Sequence, residues 1–378
     1  MRSTRNPGAL AFALLLLSAT VGGLVTAYHG RVAAAPPIPT ELTDEKSWQL
    51  SSSLSEPDGY FRSDNLLSNE LNFQHVIPEL LKTAKPGRVY LGVGPEQNFT
   101  YIAALKPSMA FIIDIRHGNL DVHLMYKALF EMSANRAEFV SRLFSRKQPE
   151  GLNGKSTARD LFLAYLNAEP SQALYEANIK AIADHLKTKH KFPLSDGDLE
   201  GIEWALSNYY MHGPEIYYNS SDATSAPNIV GAIGNIGGRG RNYVTYADLM
   251  MADDGTGQER SYLANDENFM VLKELHSRNL IIPVVGDFGG SKAIRELGKY
   301  LKSIDATVAA FYLSNVENYL SQDGKTIDFL SNVASLPLDE SSRFIRTGGG
   351  ARRFGGGAGG MNYSQLGSML EETSPFRQ

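Results

Sequence analysis

Four short apolar runs, each ending in a polar or glycine-rich turn, constrain this chain more than any other feature. They are Val89–Gly94, Ala110–Asp114, Leu280–Asp287 and Val308–Asn315. Such runs bounded by turn residues predict strands, and the helical patterns between them predict an α/β fold with a mostly parallel sheet. In an open sheet of that kind the ligand sits outside the carboxyl ends of the strands. Gly92, Gly94, Asp114, Asp287 and Asn315 are therefore expected around one crevice.

The chain has 378 residues, 43% hydrophobic and 20% charged, which is a globular composition. Its net charge of -5 argues against a general nucleic-acid binder, which normally carries a basic face. There is no cysteine, so a disulfide framework, a thiolate metal site and a cysteine nucleophile are all excluded. Residues 1–35 form a separate segment. Arg2 and Arg5 precede an apolar stretch that runs to about Ala27. That pattern predicts a signal peptide or a transmembrane anchor, with the body exported or held on the outer side of a membrane.

Residues 36–64 read as a linker, rich in proline and serine. Helical spacing of apolar residues appears over 68–84 and 119–146, with Pro86-Gly87 breaking the first before the first strand. Residues 147–265 depart from the strand pattern and read as a long helical and loop insertion, with helices near 157–166 and 172–188. An insertion of this length between strands suggests a cap or substrate segment. Further helices are expected over 266–278 and 291–301. The body is expected over 65–346, and the glycine-rich tail from Thr347 to the end cannot build a core and reads as disordered.

The turn after Val89–Gly94 continues as Pro95-Glu96-Gln97-Asn98. Glycine there allows close backbone approach, and a following helix start offers unpaired N–H groups. A dinucleotide fingerprint needs a third glycine at position 97, which is Gln97, so a pyrophosphate site is disfavoured. Asp114 follows at the offset where an acidic residue commonly accepts two ribose hydroxyls; capping of the next helix is the plainer role for it. Asp287 and Glu317, near Asn315, suit a base and an orienting group, or equally a helix cap and a surface charge. His117, His123 and His212 lack the usual histidine spacings of a metal site, and none is expected. Arg239 and Arg241 could grip an anionic substrate, but read more plainly as solvated loop charges.

The phrases at 92–101 (Gly-Val-Gly-Pro-Glu-Gln-Asn-Phe-Thr-Tyr), 111–116, 284–290 and 311–320 resemble those of an uncharacterised bacterial family similar to class I S-adenosylmethionine-dependent methyltransferases. The resemblance implies a Rossmann-like, methyltransferase-like sheet with S-adenosylmethionine as cofactor. It places Gly92 and Gly94 by the methionine part and Asp114 by the ribose. It puts Asp287, Ser314 and Asn315 near the adenine or the transfer site. The candidate cofactor set is Gly92, Gly94, Pro95, Glu96, Asn98, Asp114, Arg116, Asp287, Ser314 and Asn315; the catalytic candidates are Asp287, Asn315 and Glu317. No amine-methylating Asn-Pro-Pro-Tyr motif is present.

Two functions follow from the resemblance and the N-terminus. One is methyl transfer to a small or lipid-like substrate near a membrane. The other is a non-catalytic, exported or anchored domain that binds a ligand or partner. The cofactor is cytoplasmic while the N-terminus points outward, and a fold alone does not decide between the two.

Overall fold

The computed structural model describes residues 37–63, 65–220, 243–348 and 363–377. The first 35 residues, the glycine-rich loop with Arg239 and Arg241, and the poly-glycine part of the tail lie outside these. In chain order the elements begin with α1 (Asp44–Leu54), α2 (Ile77–Thr83), β1 (Val89–Gly92), α3 (Gln97–Leu105), β2 (Met109–Asp114) and α4 (His117–Met132). The middle of the chain holds α5 (Arg136–Phe144), α6 (Ala158–Leu166), α7 (Gln172–Asp184), α8 (Asp196–His212) and α9 (Tyr246–Met251). Then come α10 (Asp266–Ser277), β3 (Ile281–Val285), α11 (Ala293–Ser303), β4 (Val308–Ser314), α12 (Val316–Gln322), α13 (Thr326–Ala334), β5 (Arg343–Gly348), β6 (Tyr363–Ser368) and α14 (Met369–Glu372).

The six strands form one sheet in the order β3-β2-β1-β4-β5-β6. The first five are parallel, and β6 runs antiparallel to β5. Leu91 pairs with Phe111 on one side and Phe311 on the other. The strand order turns at β1: the chain moves outward to β2 and β3, then returns to the other side as β4. A crevice at the carboxyl edge is expected at such a switch point.

Helices cover both faces, which is why the central strands are apolar without alternation. Successive side chains on β4 point to opposite faces. Phe311 meets Phe288 at 5.0 Å and Phe329 of α13 at 6.4 Å, whereas Tyr312 meets Tyr101 of α3 at 5.2 Å. One layer thus holds α11 and α13, the other α3 with α4, α10 and α8 packed beside it. Pro283 is tolerated inside β3 because that strand is an edge.

The differences from the sequence reading are local and have causes. The stretch 119–146 is two helices. Lys273 donates to the carbonyls of Phe130, Glu131 and Ser133 and closes α4, and Asn135 caps α5 through the Glu138 N–H at 2.9 Å. The expected linker contains α1, capped by Thr43 and laid along the β3 edge, where the Ser51 hydroxyl donates to Pro283 O at 2.5 Å. The expected disordered tail supplies β6 and α14 after residue 362. The insertion is helical, and three of its helices carry reciprocal capping boxes, at Thr157, Ser195 and Thr245.

The expectation of a transmembrane segment is corrected. No helix among the described residues is long and apolar enough to cross a membrane. The N-terminal apolar run that prompted it lies outside the described residues.

Candidate functional site at the carboxyl edge

The turn after β1 is built by its own asparagine. Asn98 sits in the first turn of α3, fully buried, and its amide donates to the carbonyls of Val93, Gly94 and Pro95 at 2.9, 3.1 and 2.8 Å. Its Oδ1 accepts from the Tyr90 hydroxyl at 2.9 Å. A Cβ on Gly92 would stand 1.8 Å from that Oδ1, so the first glycine makes room for Asn98. Gly94 is needed for a different reason: its φ of +76° lies in the left-handed region.

Residues 55–72 form a strap across the carboxyl edge. Glu56 accepts from the N–H groups of Asp287, Lys292 and Ala293, and Asp58 accepts from His117 N at 2.6 Å. Further along, Glu70 is buried at the ends of β4 and β5. It accepts from the hydroxyls of Tyr312 at 2.9 Å, Thr347 at 2.5 Å and Ser314. Burial raises the Glu70 pKa, and the three hydroxyls counter that only in part. Ser314 reaches Glu70 from a φ of +51° beside a register shift between β4 and β5, a local distortion of the kind that re-aims a side chain. The β4 side of the switch point is therefore filled by the chain's own strap.

The β1–β2 side differs. Six of the eleven buried side-chain polar atoms without a partner among the described residues belong to the strap and the starts of the helices that follow β1 and β2: Asn65 Oδ1, Glu96 Oε2, Gln97 Oε1, Asn119 Oδ1, Asp121 Oδ1 and His123 Nδ1. Of these, Gln97 also reaches the β4 side, its amide donating to the Tyr312 hydroxyl at 3.1 Å. Buried polar atoms are normally satisfied, and each exception calls for water, an ion or a ligand. Glu96 is fully buried near Tyr126, Tyr209, Tyr246 and Tyr262, with Oε1 accepting from Ser68 N at 3.3 Å. Burial pushes its carboxyl up to about 8. His123 donates from Nε2 to Gly94 O at 2.9 Å, which leaves Nδ1 as a bare lone pair; burial takes its pKa down to about 4. Burial likewise pushes Asp121 up to about 7, with Asp198 and Asp58 adding to the rise and His117 opposing it.

Each sequence-derived candidate has a definite place. Gly92, Gly94, Pro95, Glu96 and Asn98 form the β1 turn. Asp114 ends β2, and both of its oxygens engage Arg116, through Nε at 3.1 Å, Nη2 at 3.2 Å and the backbone N–H at 3.0 Å. Asp287 lies at the end of β3 and pairs with Lys325 at 2.6 Å. Asn315 precedes α12 after β4, and Glu317 pairs with Arg346. All of them lie along one edge of the sheet. Glu70, Asn119 and Asp121 were not anticipated, and Gln97 and His123 were named only to set a pyrophosphate site and a metal site aside. Their only signal was position, a polar residue in a strap or at a helix start following a strand. The pocket between α5 and α10, about 110 Å³ and lined by Asn135, Arg136 and Asp266, is at the opposite end of α4. Its guanidinium is already spent on Asp266, Leu263 O and Ser156 O.

An α/β sheet of six mostly parallel strands, with polar groups gathered at its carboxyl edge, is compatible with the Rossmann-like class. The chain matches a family described as a domain of unknown function, DUF7790, over residues 66–192 and 239–367. These segments make up most of its length, and the protein belongs to that family. No curated protein matches it.

Proposed function

We propose that the protein binds a small, polar, adenosine-bearing ligand at the β1–β2 side of the carboxyl edge, beneath the strap. The observation that carries this is the concentration of unpartnered buried polar atoms in the strap and the first turns of α3 and α4. Helix starts present unpaired N–H groups as well, so donors and acceptors are both at hand. Asp114 supplies a carboxylate at the offset suited to ribose hydroxyls, with Arg116 fixing its orientation. The sequence resemblance to class I methyltransferases makes S-adenosylmethionine the first compound to test. If the ligand donates a methyl group, the contribution of the protein is positioning, since such a transfer needs the acceptor held in line more than it needs a strong base.

A second reading, a ligand-binding domain without group transfer, is favoured by one observation. The carboxylates placed to act as bases are neutralised by cations: Asp287 by Lys325 and Glu317 by Arg346. Glu70, in turn, is held by three hydroxyls.

Calorimetry of the full chain with S-adenosylmethionine, its demethylated product and adenosine tests the first reading. Binding of at least one, weakened in Asp114→Ala, is expected. No heat and no thermal shift with any of them at millimolar concentration overturns it. Retention of the methyl group on bound S-adenosylmethionine, across candidate small-molecule and lipid acceptors, supports the second.

A further inference from the structure

The start of α4 carries a second, chemically distinct cluster. His117 and Asp121 are four residues apart and so share one helix face. Asp198, in the first turn of α8, meets them: His117 Nε2 lies 2.6 Å from Asp198 Oδ1 and 3.7 Å from Asp121 Oδ1. Asp58 of the strap approaches from the solvent side and accepts from the His117 backbone N–H. Three carboxylates thus surround one imidazole.

Asp121 is the informative member. Its side chain is only 5% exposed, yet Oδ1 has no hydrogen-bond partner and faces the imidazole at a distance too long for a bond. The other oxygen, Oδ2, is packed against α8; a Cβ on Gly201 would stand 2.2 Å from it. So Oδ1 is held in place by packing rather than by a donor. Asp198 is held by donors: Ser195 N–H and Oγ both give hydrogen bonds to its Oδ2, at 2.6 and 2.7 Å, leaving Oδ1 turned to the cluster. Ligands oriented from behind in this way are characteristic of cation sites. No lysine or arginine among the described residues pairs with Asp121 or Asp198.

The remaining titratable cluster behaves otherwise. Glu131, His185 and His190 come together where a π turn over His185–Lys189 aligns both rings. There, however, Lys127 and Lys189 donate to the same carboxylate at 2.6 and 3.0 Å, so fixed cations already take the position that an ion would need.

We propose that His117 Nε2, Asp121 Oδ1 and Asp198 Oδ1 bind a divalent first-row transition ion, Mn²⁺ or Zn²⁺, at the carboxyl edge beside Asp114. Each of the three residues brings a ligand atom within 4.8 Å of those of the other two. Bonds of about 2.1 Å require only that the imidazole and Asp198 separate slightly. One nitrogen and two carboxylate oxygens suit an ion that accepts both donor types. Three protein ligands leave coordination positions open toward solvent, where Asp58 or a bound small molecule completes the shell.

The test uses the chelator-treated full chain, titrated calorimetrically with Mn²⁺ and separately with Zn²⁺, and Mn²⁺ binding followed by electron paramagnetic resonance. One ion per chain is expected. Asp121→Asn keeps shape and fold but loses the charge, and His117→Gln removes the nitrogen. Each weakens binding by more than about tenfold, while both variants still unfold cooperatively in chelator. Absence of stoichiometric binding of either ion, or wild-type affinity in either variant, overturns the site. Loss of binding on Glu131→Gln alone also overturns it, by assigning the ion to the other cluster.

Discussion

Glu96→Gln is the substitution with the most calculable consequence. Glu96 is fully buried, and its carboxyl titrates near 8 in the folded protein against an ordinary value of 4.5. The folded state therefore holds a proton that the unfolded chain releases. Stability from this group is fully present below pH 4.5, falls as pH rises, and is lost by the time pH passes about 8. Within that window the slope is about 1.4 kcal/mol per pH unit. At pH 7 the accumulated cost is about 3 kcal/mol for this fully buried group. Glutamine keeps the shape, still accepts from Ser68 N–H and carries no titration. Its amide protons, at the position of the unpartnered Oε2, are left without an acceptor, a fixed penalty of about 1–3 kcal/mol. The variant is thus expected to be the less stable protein near pH 5 and to gain about 3–4 kcal/mol on the wild type by pH 8. His123 slopes the other way, its stability contribution being lost as pH falls from 6.5 through about 4. It is common to both proteins and cancels in the difference. Urea unfolding followed by far-ultraviolet circular dichroism, at half-unit steps from pH 5 to 8.5, supplies the comparison. Parallel profiles separated by a constant offset would show that the Glu96 carboxyl ionises as it does in water, refuting the linkage.

Three further outcomes are expected. Gly92→Ala destabilises by roughly 2–4 kcal/mol because its Cβ meets Asn98 Oδ1, and most of that cost disappears in an Asn98→Ala background; additive denaturation energies in the double-mutant cycle refute the contact. Asp114→Ala weakens adenosine-ligand affinity by about 1–3 kcal/mol, read by calorimetry, and unchanged affinity confines Asp114 to holding Arg116. Asp287→Asn, breaking a partly exposed pair with Lys325, shifts unfolding by less than about 1 kcal/mol; a larger loss makes the β3 end a structural hub.

The four apolar runs were legible because parallel strands covered on both faces need uninterrupted apolar sequence. β5 and β6 were not. Arg343 and Arg346 interrupt β5, where Arg346 turns out to lie over the Phe344 ring and pair with Glu317 and Glu372. β6 is an edge strand written Tyr-Ser-Gln-Leu-Gly-Ser, with no need to be apolar. Helix α1 escaped notice because Ser47 and Ser51 are buried where a leucine stripe would have signalled a helix. At the site, the glycines of the β1 turn and Asn98 were readable as candidates while the role of Asn98 was not: its three bonds to turn carbonyls depend on a turn that folds back on itself. The His117 and Asp121 pair has visible helical spacing, but Asp198 joins it only through the docking of α8.

The Glu70 contacts also carry a consequence for how the protein is made. Glu70 reaches hydroxyls 242, 244 and 277 residues further along the chain. Contacts so distant in sequence form slowly and late, because a long loop must close before they are rewarded. On the ribosome, β1 and the strap emerge first and remain without β4 and β5 until nearly the whole body has been synthesised. During that interval a carboxylate destined for burial stays hydrated, and the apolar strand beside it lacks a neighbour. Closure of the edge over the β1 turn is thus a terminal event in folding, and a chain released before Thr347 has the glycine turn but no finished crevice.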